Sequence, residues 1–180
     1  IGAIDVPKDD RRVHKEPVPR LGGLAIYIAF IATILAIVIL DKSFQGILKR
    51  DFLGIFIGAT MIVAIGIIDD TRQISAKLKL AVQVTAALCA IYFGVRIEFI
   101  SNVLEGTGVT ALGMYSIPIT LFWIVGITNT VNLIDGLDGL AAGVAAIASI
   151  SLGIVAYLNE MYPVALLLFI LAGSAVGFLP

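Results

Sequence analysis

At 180 residues, 59% of them hydrophobic and only 14% charged, the chain falls well below the roughly 25% charged residues of soluble domains, and its mean hydropathy of +1.06 marks an integral membrane protein. The formal net charge of −1 comes with basic residues in short clusters instead of one broad face, so a nucleic-acid partner is set aside. The single cysteine, Cys89, allows no internal disulfide and, inside an apolar run, is expected to pack as a small hydrophobe.

Residues 1–20 form a polar segment in which Lys8, Arg11, Arg12, Lys15 and Arg20 stand against Asp5, Asp9, Asp10 and Glu16. Pro7, Pro17 and Pro19 rule out a long uninterrupted helix there. This start is charged and not apolar, unlike a secretory signal. Because the chain begins at Ile1 without Met and stops at Pro180 straight after an apolar run, it reads as a fragment of something longer.

Residues 21–40 carry no charge, and at about 1.5 Å per helical residue such a run crosses a hydrocarbon core of about 30 Å. The pattern repeats at 52–68, 80–95, 117–134, 140–158 and 163–179. The expected fold is therefore an all-α polytopic bundle, one membrane domain with about six transmembrane helices. The polar segment 96–116 holds Gly106, Gly108 and Gly113 among β-branched residues, which fits a small hairpin. Gly54 and Gly58 form a small-xxx-small pair, read as a helix contact.

Alternating spans put segments 1–20, 69–79 and 129–139 on one side of the membrane. They hold eight of the twelve Lys and Arg residues, while Lys42, Lys49, Arg50 and Arg96 lie opposite. The positive-inside rule makes the shared face cytoplasmic, and every unusual polar motif lies on it.

The most informative of these motifs is Asn129-Thr-Val-Asn132-Leu-Ile-Asp135-Gly136-Leu-Asp138-Gly139-Leu140, set between two apolar runs. An ionised Asp near hydrocarbon costs about 2.5 to 3.5 kcal/mol on insertion scales and is usually found where it meets a cation, a partner or water. If helical, Asn132 and Asp135 share a face at i, i+3, as do Asp135 and Asp138, while Gly136 and Gly139 let the backbone unwind toward a ligand. The plain alternative is a polar turn whose Asn and Gly are caps and turn formers, but two Asp-Gly pairs preceded by two Asn at the same spacing argue for more. Asp69 and Asp70 follow an apolar run. Adjacent helical residues point about 100° apart, so at most one aims squarely at a site unless the helix ends there. Carboxylates at a helix C-terminus oppose the macrodipole, which makes a pure capping role unattractive.

Acidic clusters on one face suggest a divalent cation with oxygen ligands, and magnesium typically takes one or two carboxylates with phosphate oxygens and waters. No Cys or His cluster points to zinc. Arg11, Arg12, His14, Lys15 and Arg20 would suit phosphate, and Gly22 and Gly23 would let amides at a helix start approach an anion. The competing reading of this arm is a positive segment that only sets topology. An ion-coupled transporter with a membrane-edge Asp/Asn cation site is the rival class, although these motifs sit at span ends and no inverted repeat is visible.

The run Arg11-Arg-Val-His14-Lys-Glu-Pro-Val-Pro-Arg20-Leu-Gly-Gly23, the pair Asp69-Asp70 and the Asn129 to Leu140 motif together resemble the polyprenyl-phosphate N-acetylhexosamine-1-phosphate transferases, of the glycosyltransferase family 4 type. The likeness spans the whole chain. It is closer to the undecaprenyl-phosphate GlcNAc-1-phosphate transferases of teichoic acid and O-antigen assembly than to the phospho-MurNAc-pentapeptide branch, which has Lys where Gln73 stands here. The resemblance implies transfer of GlcNAc-1-phosphate, or a related HexNAc-1-phosphate, from a UDP-sugar to undecaprenyl phosphate with release of UMP. It further implies magnesium, with manganese as a substitute, a full chain of ten or eleven helices in the bacterial plasma membrane, and a cytoplasmic site. Asp69, Asp70, Asp135 and Asp138 would be catalytic, with Asp69 and Asp135 on the metal. Asn129, Asn132 and the basic arm would bind substrate, and a homodimer is a candidate assembly. Single displacement and an aspartyl-phosphate route both stay open. The family's remaining motifs, another metal-binding Asp and a His-rich loop, lie beyond Pro180.

Overall fold

The computed structural model of the chain describes residues 4–5, 18–19, 22–41, 49–72, 74–101, 108–135 and 139–179. Six helices dominate: α1 (Gly22–Leu40), α2 (Arg50–Arg72), α3 (Ala76–Phe93), α4 (Ser116–Ile134), α5 (Leu140–Leu158) and α6 (Tyr162–Val176). Two short antiparallel pairs accompany them, β1 (Ile4–Asp5) with β2 (Val18–Pro19) and β3 (Phe99–Ser101) with β4 (Val109–Ala111). The second is the hairpin expected from the β-branched, glycine-containing segment, with Ile100 opposite Thr110. Among the described residues, α1 to α5 are long and apolar enough to cross a membrane, which makes this an all-α, multi-pass membrane fold. Helix α6 has 15 residues and spans about 22 Å at 1.5 Å per residue, short of a core of about 30 Å.

The helix ends differ from the charge-free runs where charge was taken as a boundary. α2 continues past Ile68 to Arg72, so Asp69 and Asp70 lie within its last turn and are half-buried. Asp51 in its first turn and Arg72 in its last have the signs that complement a helix dipole. α3 starts at Ala76, four residues before the apolar run, because Ser75 caps it: the Ser75 side chain accepts from the Leu78 amide at 3.4 Å. It ends at Gly94, whose φ of 116° places it in the left-handed region and whose N–H reaches the last carbonyls of the helix.

The described residues fall into two compact units. In the first, α6 packs against α1 and α5. The buried face of α5 consists of Ala142, Ala146, Ser149, Gly153 and Ala156, recurring at alternating steps of four and three. Small side chains let helix backbones approach closely, which matters in lipid, where no hydrophobic force drives helices together. At Gly153 the fit is close enough that a Cβ would stand 2.8 Å from Phe169 Cε1. The end of α2 from Gly66 onward and the end of α4 from Val131 onward belong to this unit.

The second unit contains the rest of α2, all of α3, the β3–β4 hairpin and α4 up to Thr130. Gly54 and Gly58 are buried against α3, and a Cβ on Gly58 would lie 3.2 Å from the Ala86 carbonyl oxygen. The small-xxx-small pair is thus a helix contact. Arg50 sits 5.6 Å from the centre of the Tyr92 ring and donates to the Tyr92 carbonyl at 3.2 Å. At the start of α4, Thr120 is buried, donates to the Ser116 carbonyl at 2.7 Å and accepts from the Ile97 amide at 2.9 Å. Other hydroxyls bond back to the carbonyl four residues earlier, as Thr33, Thr60, Thr85, Thr128 and Ser151 do. With no water in a bilayer core, such groups must be satisfied within the protein.

Candidate functional site

Of the candidate catalytic and substrate-binding side chains, five are described: Asp69, Asp70, Asn129, Asn132 and Asp135. Asp138, Arg11, Arg12, His14, Lys15 and Arg20 lie outside the described residues, as does Gln73. Asp69 and Asp70 occupy successive positions in the last turn of α2, so the directions of their side chains diverge by about 100°. The helix does not end at the pair, and only one of the two faces any given point squarely.

Helix α4 runs through Asn129 and Asn132 and stops at Ile134, so Asp135 is the first residue beyond it. The helical spacing therefore holds for the two asparagines, whereas Asp135 has left the helix and stands in a turn. Gly139 resumes regular structure with φ of 71°, and its carbonyl accepts from Gly143 at 2.7 Å in the first turn of α5. A positive φ is readily adopted by glycine and strained for most other residues. Gly139 thus uses the conformational freedom expected of glycine, while Gly136 lies outside the described residues.

Asp135 is exposed at the chain's turn, yet partial desolvation by neighbouring protein raises its carboxyl pKa above the usual 3.8. A positive charge nearby would act in the opposite direction. The end of α2 carrying Asp69 and Asp70, and the turn carrying Asp135, lie in the same compact unit. Among the described residues no three Asp, Glu, His or Cys side chains form a group able to hold a metal by themselves. The donors are nevertheless hard carboxylate oxygens, the type magnesium takes in ones and twos with phosphate oxygens and water completing its shell.

Asn129 is tied in differently. Its Nδ2 donates to Gln83 Oε1 and to the Val125 carbonyl, both at 2.8 Å. Gln83, on α3, is 8% exposed and had no place in the sequence-level site. Its signal was available: it is a lone carboxamide in an apolar span, where a buried amide requires a partner. Asn132, three residues on, is exposed.

Residues 52–180 match the family model described as glycosyl transferase family 4. Over 99% of its length the chain is 39% identical to a probable undecaprenyl-phosphate N-acetylglucosaminyl 1-phosphate transferase of Bacillus subtilis, covering 48% of that protein. It is 35% identical, again over 99% of its length, to 46% of a decaprenyl-phosphate N-acetylglucosaminephosphotransferase of Mycolicibacterium smegmatis. To a phospho-N-acetylmuramoyl-pentapeptide-transferase of Streptococcus pyogenes it is 31% identical, covering 55% of that protein. The chain therefore spans about half the length of the curated relatives it matches. No solved structure matches it.

Proposed function

The chain belongs to glycosyl transferase family 4, and from that premise we propose that the protein containing it transfers N-acetylglucosamine 1-phosphate from UDP-GlcNAc to undecaprenyl phosphate. In this reaction an oxygen of the lipid phosphate bonds to the sugar-bearing phosphorus of the UDP-sugar. The bond from that phosphorus to the bridging oxygen breaks, and UMP leaves. A phosphate monoester has a second pKa of about 6, so the attacking group is already largely ionised near neutrality and no strong base is required. The site's tasks are to bring two anions together and to hold the attacking and leaving oxygens in line.

Asp69 and Asp135 are the residues that would hold magnesium, which when bound would neutralise charge on the pyrophosphate. Asp70 and Asp138 would complete the carboxylate set, Asn129 and Asn132 would orient the substrate, and Arg11, Arg12, His14, Lys15 and Arg20 would grip phosphate. The site would face the cytoplasm, in agreement with the excess of Lys and Arg on segments 1–20 and 69–79. A role in the first membrane step of teichoic acid or O-antigen assembly follows from the same reading.

The observation that carries the proposal is the family match over residues 52–180 together with the 39% identity to a probable undecaprenyl-phosphate N-acetylglucosaminyl 1-phosphate transferase; Asp69 and Asp70 at the end of one membrane helix and Asp135 just beyond another agree with it. A carrier would need its cation site near the bilayer midplane. The full-length protein, reconstituted with UDP-GlcNAc, undecaprenyl phosphate and magnesium, should release UMP in step with lipid-linked product. Release of UDP instead, or sugar movement without lipid product, would contradict it.

A further inference from the structure

Asn129 is three residues before Asn132 and six before Asp135, on the helix that leads into the carboxylate turn. A primary amide nitrogen carries two protons, and both of those on Asn129 are used, one by Gln83 Oε1 and one by the Val125 carbonyl. The Val125 carbonyl can only accept, so the atom facing it must be the nitrogen. This settles the orientation of the Asn129 amide without reference to any ligand. The same logic turns the oxygen of Gln83 toward Asn129. What is left on Asn129 is Oδ1, an acceptor to which no described residue donates. The flanking hydroxyls of Thr128 and Thr130 are closed on their own helix, through Ile124 and Gly126, whereas Asn129 is half-buried and not sealed.

We propose that Gln83 is a positioning residue that locks the Asn129 amide, so that Asn129 meets its ligand only through Oδ1. The contact is therefore with an electropositive group, a cation or an N–H or O–H of the substrate, and never with a phosphate oxygen. This rests on the proposed transferase reading only in placing Asn129 at the substrate site. Burial makes the lock rigid. In a low-dielectric setting an unpaired amide is costly, so the Gln83–Asn129 pair has little freedom to exchange partners.

The test uses the full-length enzyme. Gln83→Met keeps the side-chain length but removes the accepting oxygen, and Gln83→Glu keeps an accepting oxygen. In the wild-type background Gln83→Met should lower kcat/KM for UDP-GlcNAc about tenfold, the scale of a lost hydrogen bond. In an Asn129→Ala background it should lower kcat/KM less than twofold, and Gln83→Glu should restore most of the loss. Equal losses in both backgrounds, or no loss in either, would overturn the proposal and make Gln83 a packing residue. Calorimetry separates the ligand classes independently of turnover. Weaker binding of magnesium alone by Asn129→Ala identifies a cation, and weaker binding of UDP-GlcNAc with magnesium binding unchanged identifies a substrate donor. Weaker binding of inorganic pyrophosphate in metal-free buffer, or no change with any probe, sinks the inference. Absence of lipid-linked product from the wild type would count against the transferase reading, and the same calorimetry on Gln83→Met, which should weaken the binding that Asn129→Ala weakens, would still decide the role of Gln83.

Discussion

Replacement of Gly58 by Leu tests whether α2 is held to α3 by close backbone approach. A Cβ at this position would stand 3.2 Å from the Ala86 carbonyl oxygen and 3.8 Å from its carbon. Both are backbone atoms of a regular helix and cannot rotate away, and the three further carbons of a leucine would be driven between the helices. Overpacking of this kind costs about 1 to 3 kcal/mol. In lipid no hydrophobic force would compensate by pressing the helices together again. Gly66 lies on the same helix with nothing within 4 Å of a Cβ, so Gly66→Leu should be neutral or gain up to about 1 kcal/mol from helix propensity. The assay is reversible unfolding of the full-length protein in mixed micelles, followed by circular dichroism, with both variants measured against wild type. Equal effects at the two positions, or a neutral Gly58→Leu, would refute the claim that the Gly54–Gly58 face is a packed contact.

Gly139→Ala forces a β-carbon onto a backbone with φ of 71°, close to Leu179 Cδ2 at 3.0 Å. It should cost about 1 to 2 kcal/mol, measured by the same unfolding assay, and a neutral substitution would mean that the turn is not held in this conformation. The raised pKa of Asp135 gives a sign to the pH dependence. A carboxyl whose folded pKa lies above its unfolded value contributes stability that is complete below the unfolded pKa and is lost as pH rises through the folded one. In metal-free buffer, the thermal midpoint of Asp135→Asn should therefore gain on that of wild type as pH rises above about 4, the ordinary carboxylate value, and a constant gap would show that Asp135 is not desolvated. His14→Gln and at least one of Arg11→Gln and Arg12→Gln should lower kcat/KM tenfold or more with membrane orientation unchanged. Wild-type kinetics for all three would leave the arm as a topological segment.

Much of the helical frame could be read from charge alone. The runs 21–40 and 140–158 differ from α1 and α5 by at most one residue, because uninterrupted apolar stretches leave no other choice in a bilayer. The rule faltered where polar residues lie at helix ends. Asp69 to Arg72 continue α2 and Lys77 and Lys79 belong to α3, since charges at a helix terminus reach water while the backbone stays hydrogen-bonded. Ser75 was the available sign of the α3 start. The Asn129 to Gly139 motif stood out in the sequence as a candidate site, but its backbone was not legible there. That α4 ends at Ile134, one residue before Asp135, is a boundary that i, i+3 spacing does not encode. Gln83 escaped because its meaning lies in a partner 46 positions away on another helix, a pairing that no local pattern encodes.

The measurement that bears most directly on the account is the rate of UMP release by full-length Asp135→Asn beside wild type, with helix content and detergent stability monitored in parallel. Outer-shell partners of metal ligands already cost about 10 to 100-fold when removed. A carboxylate acting on the metal itself should therefore cost more than about a hundredfold, with the fold intact. Turnover within about tenfold of wild type, only 1.4 kcal/mol in the barrier, would contradict the assignment of Asp135 to the reacting site.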